Sequence, residues 1–191
     1  MFKIFKPYML LLLTSSFAYG QDWPELGRYF ENNKKYAQSS DNEDRVVFMG
    51  NSITEGWSTI LPEFFKGKSY INRGISGQTT PQMLIRFRPD VIDLNPKVVI
   101  ILAGINDIAE NTGPSTVKMI SDNIISMADL AKINGINVII SSILPAKGFP
   151  WNPGINPPPK ISAVNKIIEQ YAKENGMIYL DYYSSMVDKN N

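Results

Sequence analysis

Five short apolar runs recur along this chain, at 45–49, 69–72, 98–103, 137–142 and 177–180, with helical patterns between them. Runs such as "VVFM" and "VVIIL" show no alternation of polar and apolar positions, so a strand built from them must be buried on both faces. Strands of that kind, alternating with helices, give a parallel sheet covered by helices on its two sides. The chain has 191 residues and is 43% hydrophobic, which suits one domain with a full core. The expectation is a three-layer α/β/α sandwich around a five-stranded parallel sheet.

The helical patterns are read from spacing and punctuation. Residues 114–134 put Val117, Ile120, Ile124, Met127 and Ala131 on one stripe, with Pro114 in the first turn and Gly135 as the stop. Ile161, Val164, Ile168 and Tyr171 repeat the pattern up to Gly176. A third helix starts at Thr79-Thr80-Pro81, runs through Leu84, Phe87 and Val91, and is expected to kink at Pro89. Residues 24–38 complete the set as an N-terminal helix. Between the fourth strand and its helix, "PAKGFPWNPGINPPPK" carries six prolines and Trp151. A long loop leaving the carboxyl end of such a strand is expected to wall a ligand site.

The first twenty residues differ from the rest. Lys3 and Lys6 precede an apolar run from Tyr8 to Leu13, and Ala18-Tyr19-Gly20 offers small residues for cleavage, the pattern of a secretory signal peptide. The run is too short for the roughly 20 residues that span a bilayer. The domain is therefore expected at 21–191 of an exported protein, secreted or periplasmic. Without residues 1–20 the chain holds 17 basic against 18 acidic residues, a net charge of −1. That balance excludes an electrostatic footprint for nucleic acid or an anionic membrane. There is no cysteine for a disulfide, and no His or Cys cluster or dinucleotide motif that implies a metal or organic cofactor.

Three segments leave the carboxyl ends of successive strands: Gly50-Asn51-Ser52, Gly74-Ile75-Ser76-Gly77 and Gly104-Ile105-Asn106-Asp107. Topology brings them to one edge of the sheet. Ser52 at the start of a helix exposes a hydroxyl and an N–H, Gly77 allows close backbone approach and a second N–H, and Asn106 supplies a carboxamide. Two backbone amides and a side-chain amide around a serine make an oxyanion hole. Taken singly, Ser52 reads more readily as a helix N-cap than as a nucleophile, and Asn106-Asp107 as a cap or an Asx-turn.

"FMGNSITEGW", "INRGISGQTT" and "ILAGINDI", in this order and spacing, resemble blocks I, II and III of the SGNH hydrolase superfamily, the GDSL-type esterases and lipases. The likeness covers about residues 24–186 and is strongest to small secreted bacterial acylhydrolases. It implies a flavodoxin-like fold and a serine esterase working through an acyl-enzyme, with Ser52 as nucleophile. The Ser52 amide, the Gly77 amide and the Asn106 side chain would form the oxyanion hole. It further implies short acyl esters, acetyl on a saccharide among them, as small-molecule partners. Trp57, Phe149 and Trp151 are candidates for the pocket wall, with ordinary packing an equal reading. Asn51 stands where the name-giving motif has Asp.

The family's last block, an Asp-x-x-His pair in which His is the base and Asp orients it, has no counterpart here, because the chain contains no histidine. Asp181 ends the fifth strand and Asp188 lies in a solvated turn; neither is followed by His. A loop and a final helix of about 25 residues would finish such a domain. The expectation is thus a catalytic domain incomplete at its C-terminus, the alternative being a non-catalytic ligand-binding relative or inactive fragment.

Overall fold

A computed structural model describes residues 21–37 and 44–188; the leader expected at 1–20 lies outside the described residues. Five strands, β1 (Val46–Gly50), β2 (Tyr70–Gly74), β3 (Val98–Leu102), β4 (Asn137–Ser141) and β5 (Ile178–Leu180), form one parallel sheet in the order β2-β1-β3-β4-β5. Each falls on one of the five apolar runs, within about a residue or two at the ends. The chain steps from β1 outward to β2 and then back across β1 to β3. The order reverses at β1, so a crevice opens beyond the carboxyl ends of β1 and β3.

One face of the sheet, carrying Val47, Met49, Ile71, Val99, Ile101, Val138 and Ile140, packs on helices α4 (Thr80–Asp90), α6 (Val117–Ile133) and α7 (Pro157–Glu174). Ile120, Ile124, Met127 and Ala131 of α6 are all buried there, as the stripe predicts. The opposite face is covered at β1 and β2 by α2 (Ser52–Ile60) and α3 (Pro62–Phe65) through an aromatic cluster. Phe48 of β1 meets Trp57, Phe64, Phe65 and Tyr70 with ring centroids 5.4 to 5.9 Å apart, and Trp57 stacks on Phe64 at 5.2 Å. Across β3, β4 and β5 this second face is thinner: Ile100 and Ile139 are half-buried and Ile178 is 60% exposed.

Four details differ from the sequence reading. α6 begins at Val117, because the Thr116 hydroxyl accepts the Met119 amide at 3.1 Å and caps the helix there, leaving Pro114 outside it. The N-terminal helix α1 is only Phe30–Ala37 among the described residues. Ahead of it, Asp22 takes the Leu26 and Gly27 amides, both at 2.9 Å, and this turn displaces the helix. The proline-rich segment is partly helical: Pro157, Pro158 and Pro159 form the first turn of α7, where missing N–H groups have no acceptor to lose. Short helices α5 (Ile105–Ile108) and α8 (Tyr182–Met186), and α3, were not apparent as patterns. The helix over Pro89 is α4, followed by a 3-10 turn at Ile92–Leu94.

Candidate active site

β1 ends at Gly50, and Asn51 turns the chain into α2. The Asn51 side chain accepts the Ile53 amide at 3.0 Å, so Asn51, not Ser52, caps the helix. Ser52 is the first helical residue and is exposed, and its hydroxyl has no hydrogen-bond partner among the described residues. Its N–H lies in the first turn, which has no intrahelical acceptor and carries the positive end of the helix dipole. The capping role that competed for Ser52 is taken by its neighbour.

α2 crosses the ends of both β1 and β2. A Cβ on Gly74 would lie 2.1 Å from the Glu55 amide nitrogen and 2.7 Å from the Asn51 carbonyl, so the crossing requires glycine there. Asn72 sews the two elements together, donating to the Thr54 carbonyl at 2.5 Å and accepting the Gly74 amide at 2.8 Å. The loop after β2 then leans back onto the same helix. Ile75 donates to the Gly50 carbonyl at 3.1 Å, and the Glu55 carboxylate takes the Ser76 amide at 2.8 Å and the Ser76 hydroxyl. Arg28 closes the arrangement on the other Glu55 oxygen at 2.8 Å.

Gly77 follows with φ of +78°, a left-handed conformation that favours glycine, and it is exposed. Gln78 is buried again. Its carbonyl accepts Nδ2 of Asn106 at 2.9 Å, and its side chain bridges Nε of Arg86 at 2.5 Å and the Pro24 carbonyl at 2.8 Å. Gly77 is therefore bracketed. The residue before it is fastened to the helix of Ser52, the residue after it to the side chain of Asn106. One hydrogen of the Asn106 carboxamide is engaged with Gln78, which leaves a second for a ligand.

Two ionisable groups support this edge from below. Asp107, buried beside Asn106 on α5, accepts the Thr80 amide at 2.9 and 3.0 Å and the Thr80 hydroxyl at 2.6 Å, tying α5 to the start of α4. Burial pushes its carboxyl up to about 6, against the lowering effect of Thr80. Arg86, fully buried on α4, donates Nη2 to the Gly50 carbonyl at 3.1 Å and the Arg73 carbonyl at 2.9 Å, and Nη1 to Asp90 at 2.8 Å. It locks the ends of β1 and β2 in their relative register. Glu55, Gln78, Arg86 and Asp107 were all missed as site residues in the sequence; only the spacing of Glu55 one turn after Ser52 hinted at its part.

Of the aromatic candidates, Trp57 belongs to the cluster under α2, Phe149 is buried, and Trp151 is exposed above it. Trp57 also borders an apolar groove of about 300 Å³ with Ile53, Leu102, Leu144, Tyr182 and Met186. Asp181 caps α8 by accepting the Ser184 amide at 3.0 Å. No group of three or more metal-binding side chains lies among the described residues, and none of their helices is long and apolar enough to cross a membrane.

A parallel sheet of this order, with the three loop blocks at one edge, defines a flavodoxin-like α/β/α fold of the SGNH hydrolase type. The chain belongs to the GDSL-like lipase/acylhydrolase family, whose model matches residues 48–191. A GDSL-like lipase from Bacteroides thetaiotaomicron VPI-5482 is 51% identical, with a TM-score of 0.84 over 87% of this chain and 82% of that one. An arylesterase of Vibrio mimicus is 30% identical over 118 residues, covering 55% of this chain and 57% of that protein. An uncharacterized lipoprotein, YqeF, of Bacillus subtilis is 27% identical over 123 residues, 62% of this chain and 51% of that protein. The chain thus spans about half the length of the curated relatives it matches.

Proposed function

We propose that this protein hydrolyses carboxylic esters of short acyl groups through an acyl-enzyme on Ser52, as an exported domain covering residues 21–191. The Ser52 oxygen adds to the ester carbonyl and gives its proton to solvent water, from which the leaving alkoxide takes one as it departs, while the carbonyl electrons move onto oxygen. The resulting oxyanion is held by the N–H of Ser52, the N–H of Gly77 and the Asn106 carboxamide, an arrangement worth about 10²–10³ in rate per donor in comparable sites. Collapse expels the alcohol, and water then releases the acid and restores Ser52. The observation that carries this reading is the bracketing of Gly77 between Ser76, bound to Glu55, and Gln78, bound to Asn106. A free serine hydroxyl on the capped end of α2 supports it.

A second reading is favoured by one fact: the 191 residues contain no histidine, so within them no imidazole takes the Ser52 proton. In that reading the same edge binds an ester or saccharide without turning it over. Release of p-nitrophenol from p-nitrophenyl acetate separates the two. Turnover lost in Ser52→Ala, with an unchanged circular dichroism spectrum, supports the esterase. Equal rates in both proteins remove Ser52 from the chemistry.

A further inference from the structure

Trp151 is 65% exposed, and in three respects it is unlike the other exposed apolar side chains. Its ring rests on Phe149, itself only 5% exposed, with centroids 5.4 Å apart and a tilt of 37°. Its indole N–H donates to Oδ1 of Asn111 at 3.3 Å, so the ring is oriented at its edge as well as beneath. The segment that carries it is preset by turns: Asn152 donates its amide to Phe149 at 3.0 Å and its side chain to the Ala109 carbonyl at 3.2 Å, with Pro150 and Pro153 restricting φ on either side. Ile133, more exposed still, has no such fixing and is an ordinary surface residue.

The platform is joined to the candidate active site. The same Asn111 carboxamide that holds Trp151 donates Nδ2 to the Gly77 carbonyl at 3.3 Å, so the indole stands two hydrogen bonds from the oxyanion loop. The ring offers one open aromatic face. Around it are the neutral carboxamides of Asn111 and Asn152, each with hydrogen-bonding capacity to spare. A ligand matched to this pattern has a flat apolar face and a rim of uncharged hydroxyls, the two-sided character of a pyranose ring. An aliphatic chain would gain more from a closed apolar slot, and an anion would find no cation bonded here. Because the indole is already immobilised, little side-chain entropy is lost on binding.

We infer that Trp151 and Asn111 form a saccharide-binding platform that receives the sugar portion of the substrate beside Gly77. Its place in a reaction rests on the esterase reading above, but its affinity for sugar does not. The test uses an unacetylated probe, xylotetraose, titrated into the full chain and followed by calorimetry and tryptophan fluorescence. Wild type and Ser52→Ala are expected to bind alike, Trp151→Ala at least about tenfold more weakly, and Trp151→Phe, which keeps a ring face without the N–H, in between. Trp151 is exposed, so circular dichroism should be the same for all four proteins. Absence of binding by wild type, equal binding by Trp151→Ala, or phenol competing better than the tetrasaccharide would each overturn the platform. Trp151-dependent sugar binding without Ser52-dependent ester turnover would uphold it while removing the esterase. Ser52-dependent turnover without sugar binding would do the reverse.

Discussion

Glu55 accepts the Ser76 amide at 2.8 Å, and through that bond the helix that begins at Ser52 grips the loop that exposes Gly77. Burial alone raises the Glu55 carboxyl, but the Ser76 hydroxyl and amide and the Arg28 guanidinium outweigh it and hold it below the usual carboxylate range. A carboxyl lowered in the fold contributes stability that is intact above its unfolded value of about 4.3 and is lost as pH falls through the folded value. Glu55→Gln keeps one acceptor and loses the charge. Faster amide hydrogen exchange at residues 76–78, relative to the intrinsic rate at each pH, is expected in that variant at pH 7, and in wild type only once pH falls below the ordinary carboxylate range. Identical exchange in both proteins would show that the clamp is not what orders the loop.

Asp107 gives the opposite pH dependence. Its carboxyl, raised to about 6 by burial, binds a proton more tightly in the fold than in the unfolded chain. Its contribution to stability therefore declines as pH rises from about 3.9, its unfolded value, towards the folded value, and is level beyond that. Asp107→Asn removes this slope. It also turns an amide NH₂ towards the Thr80 N–H, which both carboxylate oxygens accept in wild type, at a cost of about 1–3 kcal/mol. Urea unfolding at pH 4 and pH 7 measures both effects.

Arg86 is expected to be the most sensitive position outside the loops. Arg86→Met is close in volume but takes the cation from Asp90, which is 2% exposed and keeps only the Asn33 carboxamide at 2.6 Å, and one donor each from the Gly50 and Arg73 carbonyls. Removing one partner of a buried pair costs about 3–5 kcal/mol. A urea midpoint shifted by less than about 1 kcal/mol equivalent, at constant m-value, would mean water replaces the guanidinium.

The contrast between these residues and the strands explains what the sequence makes legible. Val98 to Leu102 reads as a buried strand because five consecutive apolar residues admit few other fates in a small domain. The exposure of Ser52 and the left-handed backbone of Gly77 were legible because a hydroxyl at a strand-to-helix junction and a glycine in a loop each carry local meaning. Arg86 carries none: between Ile85, which is 50% exposed, and Phe87, which is buried, it reads as the solvated face of a helix. Its burial depends on carbonyls of β1 and β2 that meet it only after the sheet has formed. Glu55 and Gln78 were hidden for the same reason, since Ser76, Pro24 and Asn106, which fix them to other elements, lie 21 residues or more away. The helical prolines 157–159 were obscured differently, because a proline run reads as loop unless the helix behind it is allowed to start inside it.

If Ser52 is the nucleophile and its proton acceptor is not an imidazole of these residues, added imidazole should supply one. Hydrolysis of p-nitrophenyl acetate by wild type is expected to rise with the concentration of neutral imidazole beyond the rise seen with Ser52→Ala, which reports the buffer's own reaction. The difference should follow the titration of imidazole. Parallel lines for the two proteins would leave Ser52 without a part in the reaction.

Gly77 separates an oxyanion role from a merely structural one. A methyl group there meets nothing within 4 Å, so Gly77→Ala introduces no clash. The only cost is φ of +78°, about 1–2 kcal/mol for a residue with a Cβ. That strain can be relieved by rotating the peptide, which turns the Gly77 N–H away from the carbonyl oxygen it would hold. Turnover is therefore expected to fall about 10²-fold or more, as when one oxyanion donor is removed, while the urea midpoint moves by no more than the strain. A fall in stability of that size with turnover unchanged would mean that residue 77 shapes the loop and another donor holds the oxyanion.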